Sequence, residues 1–267
     1  MTRKTIRTAL TAASLLLLSL TAAAAQQESS EAVEHAKLLD VLKLDGGLFH
    51  VQGVDLDSRR IWVTSVDLAS HRGYLHIFDR QTGAFLRRIE LTDGPRYHPG
   101  GVSLHGDSIW VPVAEMKPNS SAVLEEIDTE SLQVRRKIHV ADHLGCVAVS
   151  DHVLVAGNWD SQLLYVFDPR TGKQARVVPN PSATHYQDMK FVGGQLVGGG
   201  NVTPLSGTID WIDWPSMKLI RTARSGTTDR ARPYTGEGMA LKGRDLFLVP
   251  EDGPSRLFHF RMDDRDV

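Results

Sequence analysis

Four histidines stand at the same place in a repeated phrase. His50 opens HVQGVDLDSRRIWVTSVD, His98 opens HPGGVSLHGDSIWVPVAE, His143 opens HLGCVAVSDHVLVAGN and His185 opens HYQDMKFVGGQLVGGGN. A fifth copy, TGEGMALKGRDLFLVPE, opens on Thr235 and carries Glu237 two residues on. Neutral imidazole ligates zinc and iron and moves protons near neutral pH. Carboxylates beside it orient the ring or ligate a harder ion such as calcium. The candidate metal ligands are therefore His50, His98, His143 and His185. Glu237 is the candidate general base, with Glu115, at the end of the second copy, as a further catalytic acid. Gln187, Asn158, Asn201 and Glu251 fall at matching positions in their copies and are candidate ligand contacts. Trp159 lies in the loop Asn158-Trp159-Asp160, where its ring can stack on a ligand. The competing reading is structural: a residue that recurs in each copy serves the repeat itself, each histidine bonding backbone in its own loop.

The elements that would position these residues follow from the period. Each copy reads as a short strand, a polar turn and a second strand. In the first four copies two more strands follow, joined by turns such as FDRQTG and FDPRTG, with Asp79, Asp128, Asp168 and Asp213 marking the reversals. Four-stranded units repeating about every 40–45 residues predict a β-propeller. The fold class is all-β, with five blades. The last copy has only three strands before the chain ends, so the strand predicted at Lys37–Leu44 completes it and closes the ring.

The N-terminus reads as a targeting segment rather than part of the fold. Arg3, Lys4 and Arg7 precede an apolar run from Ala9 to Leu20, and Ala23-Ala24-Ala25 offers a cleavage site. Residues 1–25 are thus an expected signal peptide, and 26–267 one propeller domain in the periplasm or secreted. The apolar run is too short and wrongly flanked to span a bilayer, and no later stretch is long and apolar enough. The formal net charge is −2, and it falls further once those three basic residues leave, which argues against a nucleic-acid partner. Cys146 is the one cysteine, so no internal disulfide is available and the apolar core must hold the fold. Cys146 falls in a predicted inner strand and reads as a small buried residue. No HExxH, GxSxG or nucleotide-binding glycine loop occurs.

The phrases HPGG at His98, IWVPVAE at Ile109, HYQD at His185 and VPED at Val249 resemble an uncharacterised family of secreted β-propeller proteins, a domain of unknown function. They fall in three of the five copies. A weaker likeness is to the five-bladed glutamine cyclotransferases, through Gln52-Gly53-Val54 and Gly236-Glu237-Gly238. Those enzymes carry a Glu in the second strand of the first blade. Here that strand reads IWVTS, with Val63 and Thr64 at the corresponding place.

Two function classes follow. The first is an exported, monomeric propeller whose mouth binds a small molecule or a divalent metal (zinc, iron or calcium), extending to a metal-dependent hydrolase or lyase. The second is a non-catalytic interaction scaffold whose repeated histidines are structural. Fold does not separate them, because propellers host both.

Overall fold

The computed structural model describes residues 32–263. The expected signal peptide lies outside the described residues. Strand β1 (Ala36–Lys43) comes first in the chain and belongs to the last sheet. Blade 1 is β2 (His50–Leu56), β3 (Arg60–Asp67), β4 (Arg72–Asp79) and β5 (Phe85–Glu90). In blade 2 the inner strand is broken into β6 (His98–Pro99) and β7 (Ser103–His105), followed by β8 (Ser108–Ala114), β9 (Ala122–Asp128) and β10 (Val134–Val140). Blade 3 runs β11 (Leu144–Val149), β12 (Leu154–Asn158), β13 (Leu163–Phe167) and β14 (Gln174–Pro179). Blade 4 runs β15 (His185–Val192), β16 (Gln195–Thr203), β17 (Ser206–Asp213) and β18 (Lys218–Ser225). Blade 5 holds β19 (Gly238–Lys242), β20 (Asp245–Val249) and β21 (Arg256–Met262), and β1 pairs antiparallel with β21 in the register Val41↔Phe258. The five sheets make a five-bladed β-propeller, closed by the N-terminal strand as the three-strand last repeat predicts. Among the described residues no helix is long and apolar enough to cross a membrane.

The core sits between blades. One apolar cluster joins each adjacent pair: Phe78 and Ile61 of blade 1 pack with Phe247 and Leu257 of blade 5, and Trp62 packs with Ile109 and Ile127 of blade 2. The middle strands are buried on both faces, whereas β5 and β14 are mostly exposed. Each fully buried Leu, Ile or Phe contributes about 1.5–3 kcal/mol, so the ring is held by its inter-blade wedges in place of a disulfide. Cys146 is fully buried in such a wedge, and burial pushes its thiol up to about 12. Trp62, Trp110 and Trp211 are core residues as well.

The marker aspartates build one turn four times. Asp79, Asp128 and Asp168 each accept two amide protons from the residues two and three further on. In all four blades the amide four residues on donates to the aspartate carbonyl, and that donor, Gly83, Leu132, Gly172 or Met217, has positive φ. Glycine takes that conformation freely, so the FDRQTG and FDPRTG turns are readable, whereas blades 2 and 4 fit a side chain into the same backbone.

Near the axis the inner strands touch through backbone. A Cβ on Gly100 would meet the Gly145 carbonyl oxygen at 2.0 Å, and one on Gly53 would meet the Gly101 Cα at 2.6 Å. Below this contact two buried carboxylates stitch blades together. Asp188 accepts the amides of Val54 at 2.9 Å and Met239 at 3.2 Å. Asp55 accepts the Leu104 amide at 2.8 Å and meets Lys242 Nζ at 2.6 Å.

Candidate functional site

The inner strands carry the local feature that makes the site. Each loses register with its neighbour at one residue: Gln52 in β2, Gly145 in β11 and Gln187 in β15. A β-bulge leaves its extra residue unpaired and re-aims the side chain. The corresponding residue of blade 2, Gly100, falls in the break between β6 and β7, and that of blade 5, Glu237, immediately precedes β19. Gln52, Gly145, Gln187 and Glu237 all line one cavity of about 260 Å³ at the propeller mouth.

The same cavity is lined by His50, His98, His143 and His185, by Trp159 and Asp160, and by Met116 and Tyr186. The structure thus brings the four repeat histidines and Glu237 to one place. His98 and His143 are buried, and His185 is exposed at the rim. The His98 and His143 ring centres are 5.5 Å apart at an interplanar angle of 48°. The Trp159 ring stands edge-on to His143 at 4.6 Å, itself 41% exposed. The lining carries carboxylates and no Lys or Arg among the described residues.

Each ring sits in a distinct electrostatic setting. His143 Nδ1 lies 2.8 Å from the Glu115 main-chain carbonyl. A carbonyl only accepts, so Nδ1 carries the proton and Nε2 keeps its lone pair. Burial lowers the His143 pKa, opposed by that carbonyl. His98 is pushed down to about 3, first by burial and then by the charges His143 and His50 would carry, and its Nδ1 is buried without a partner. Both rings are therefore neutral at ordinary pH. Nδ1 of His50 lies 2.9 Å from Glu251 Oε2, which also accepts the Val51 amide at 2.9 Å. Nε2 of His50 lies 3.9 Å from Glu237 Oε1. The Glu237 side chain is 13% exposed. Burial, reinforced by the Glu251 carboxylate, raises its pKa well above the usual carboxylate range.

Other sequence candidates are placed elsewhere. Glu115 is absent from the lining; its carboxylate bonds Ser121 Oγ at 2.8 Å and pairs with Lys117 Nζ at 2.9 Å, and Lys117 first, then Ser121, lowers its pKa. Asn158 Oδ1 accepts the Leu163 amide at 3.0 Å and so holds its own turn. Asn201 keeps a buried Oδ1 without a partner, outside the cavity lining. Glu251 stands behind His50 rather than in the lining. Among the described residues no three His, Cys, Asp or Glu side chains are gathered closely enough to hold a metal ion between them. Sequence reasoning missed Met116, Asp160 and Tyr186 in the lining. It also missed Lys190, which bonds Asp188 at 2.5 Å. The signal for that pair is in Asp188-Met189-Lys190, where charges two apart share one face of an otherwise buried strand.

A model of a family of unknown function (DUF6454) matches residues 64–197, half of the chain. The chain belongs to that family. This member of the family is a five-bladed propeller. No curated protein matches the sequence. The crystal structure of Myxococcus xanthus glutaminyl cyclase superposes with a TM-score of 0.64 at 14% identity, covering 85% of this chain and 96% of its own. A chain of a mitotic checkpoint complex crystal structure aligns at 15% identity over 85% of this chain and 95% of its own, with a TM-score of 0.49. At these identities the likeness to the cyclase shows the fold alone.

Proposed function

We propose that this propeller is an exported enzyme that binds a small polar molecule in its mouth, where Glu237 and His50 exchange a proton with it. The observation that carries the reading is the alignment Glu251, His50, Glu237: a carboxylate 2.9 Å from Nδ1, and a second carboxyl 3.9 Å from Nε2. A carboxylate at Nδ1 favours the proton there and leaves Nε2 as the base, held in one orientation. Glu237, whose pKa burial raises well above the usual carboxylate range, is the matching acid. A buried carboxyl and an imidazole with a free in-plane lone pair, in one cavity, are the pair that acid–base chemistry uses. Gln52 and Gln187 supply amide donors and acceptors at the wall, and Trp159 an aromatic edge.

The Myxococcus xanthus structure is that of a glutaminyl cyclase, and cyclisation of a glutaminyl amide is one proton-transfer reaction of the class proposed here. The experiment is incubation of the purified protein with glutaminyl-β-naphthylamide and, separately, with a small-molecule extract, read by mass spectrometry. Wild type depletes a substrate, whereas Glu237→Gln and His50→Ala do not. Equal depletion by all three proteins, or by none, refutes the reading.

A further inference from the structure

We propose that His98 and His143 form a two-imidazole site for a borderline divalent cation of the zinc class, with water and substrate as the remaining ligands. The inference goes beyond the proton exchange proposed above and uses neither His50 nor Glu237 as a ligand.

The spacing of the rings is the first observation. Two imidazoles bound at ~2.0 Å to one tetrahedral ion hold their ring centres about 5 Å apart. The observed separation is 5.5 Å, with the rings inclined rather than stacked. Parallel stacking would place faces against each other, whereas a 48° inclination lets in-plane lone pairs converge.

The second observation is the state of each ring's nitrogens. Metal-bound histidines characteristically donate their other N–H to a carbonyl or carboxylate, which fixes tautomer and direction. His143 has that arrangement: Nδ1 donates to the Glu115 carbonyl at 2.8 Å. Its Nε2 lies 3.9 Å from where a Cβ on Gly145 would sit, and Gly145 lines the cavity. The Trp159 ring, edge-on at 4.6 Å, packs the imidazole in place.

His98 supplies the third. It lines the cavity, it is 9% exposed, and its Nδ1 is buried with no hydrogen-bond partner. A buried ring nitrogen left unsatisfied is costly, and a cation bound at Nδ1 turns that orphan into a ligand. The donor set also selects the ion. Two neutral nitrogens suit zinc or copper and not calcium, which takes six to eight oxygens. A set of only two protein ligands leaves open positions, so an ion here would present a bound water or a substrate oxygen to the same cavity.

The test uses full-length mature protein without a polyhistidine tag, stripped with EDTA and titrated with zinc chloride by calorimetry. One zinc per chain is expected, with no uptake of calcium chloride. His98→Gln and His143→Gln each weaken zinc binding at least about tenfold, and the double variant loses it, with folding checked by circular dichroism. Should the double variant not fold, 15N spectra of the histidine rings in wild type give a second readout: the first equivalent of zinc shifts His98 and His143. Absence of stoichiometric zinc in wild type, unchanged affinity in a folded double variant, or shifts confined to His50 and His185 each overturn the proposal. Zinc is titrated without substrate, so this result and the depletion assay succeed or fail separately.

Discussion

Asp188 and Lys190, two residues apart on β15, meet at 2.5 Å with both side chains almost wholly buried. The carboxylate also takes the Val54 amide from blade 1 and the Met239 amide from blade 5, so one ion pair ties three blades. Burial pushes the Asp188 pKa up to about 7, against the Lys190 ammonium and the amides, which favour the ionised form. Removing one partner of a buried pair leaves an uncompensated charge, at a cost of about 3–5 kcal/mol. Asp188→Asn is therefore expected to lower stability by that amount in urea denaturation at pH 8. A loss below about 1 kcal/mol would mean that water already reaches Lys190.

Gly100 and Gly145 separate packing from function. Gly100→Ala drives a methyl to 2.0 Å from a backbone oxygen, and such overpacking costs about 1–3 kcal/mol or more. At Gly145 the nearest atom to an added Cβ is 3.5 Å away, an ordinary contact. Gly145→Ala is expected to keep the wild-type thermal midpoint while crowding the cavity and weakening whatever binds there. Equal midpoints for the two variants would count against the axial contact.

His76 sets part of the acid sensitivity. It is 1% exposed, its Nε2 lies 2.8 Å from Ser65 Oγ, and it packs beside Phe78. Burial, then the Arg88 charge, pushes its pKa down to about 3. A depressed folded value means its contribution is present above the unfolded value of about 6.5 and is lost as pH falls toward about 3, at about 1.4 kcal/mol per pH unit. His98 and His143 act in the same sense. Asp188 and Glu237 act oppositely: their folded values are raised, so their stabilisation holds at low pH and fades as pH rises, through about 7 for Asp188. His76→Phe should flatten the stability slope between pH 5 and 6.5 by about one proton. An unchanged slope in urea titrations at those two pH values would show that His76 charges in place.

Ring closure by β1 is testable by removal. Deleting residues 37–44 exposes the edge of β21, including the Phe258 position paired with Val41. Open apolar edges recruit other chains, so aggregation or loss of the cooperative transition is expected by light scattering and calorimetry. A soluble deletion variant with a sharp transition would show that three strands suffice for the last blade.

Much of this was legible in the sequence because the propeller repeats its punctuation. Asp79, Asp128, Asp168 and Asp213 announce each turn, and a last repeat one strand short points to β1. The shared position of His50, His98, His143, His185 and Glu237 was legible for the same reason. What the side chains do there was not. Glu115 is held by Lys117 and Ser121, and Asn158 by its own turn. These are local hydrogen bonds that depend on loop geometry rather than repeat position. The bulges at Gln52, Gly145 and Gln187 depend on cross-strand pairing, which a single strand's sequence does not encode.

Those bulges bear on how such a mouth could change. A paired residue in an inner strand answers to two neighbours and to an alternation of faces, so replacing it disturbs the sheet. A slipped residue has no such obligations. The positions now read Gln, Gly, Gly, Gln and Glu around the ring. Where the neighbouring blade leaves room, as at Gly145 and unlike Gly100, the side chain can be exchanged while the strand on either side keeps its register. The frame and the chemistry are thereby separately mutable, and relatives with the same five blades can be expected to differ most at these places.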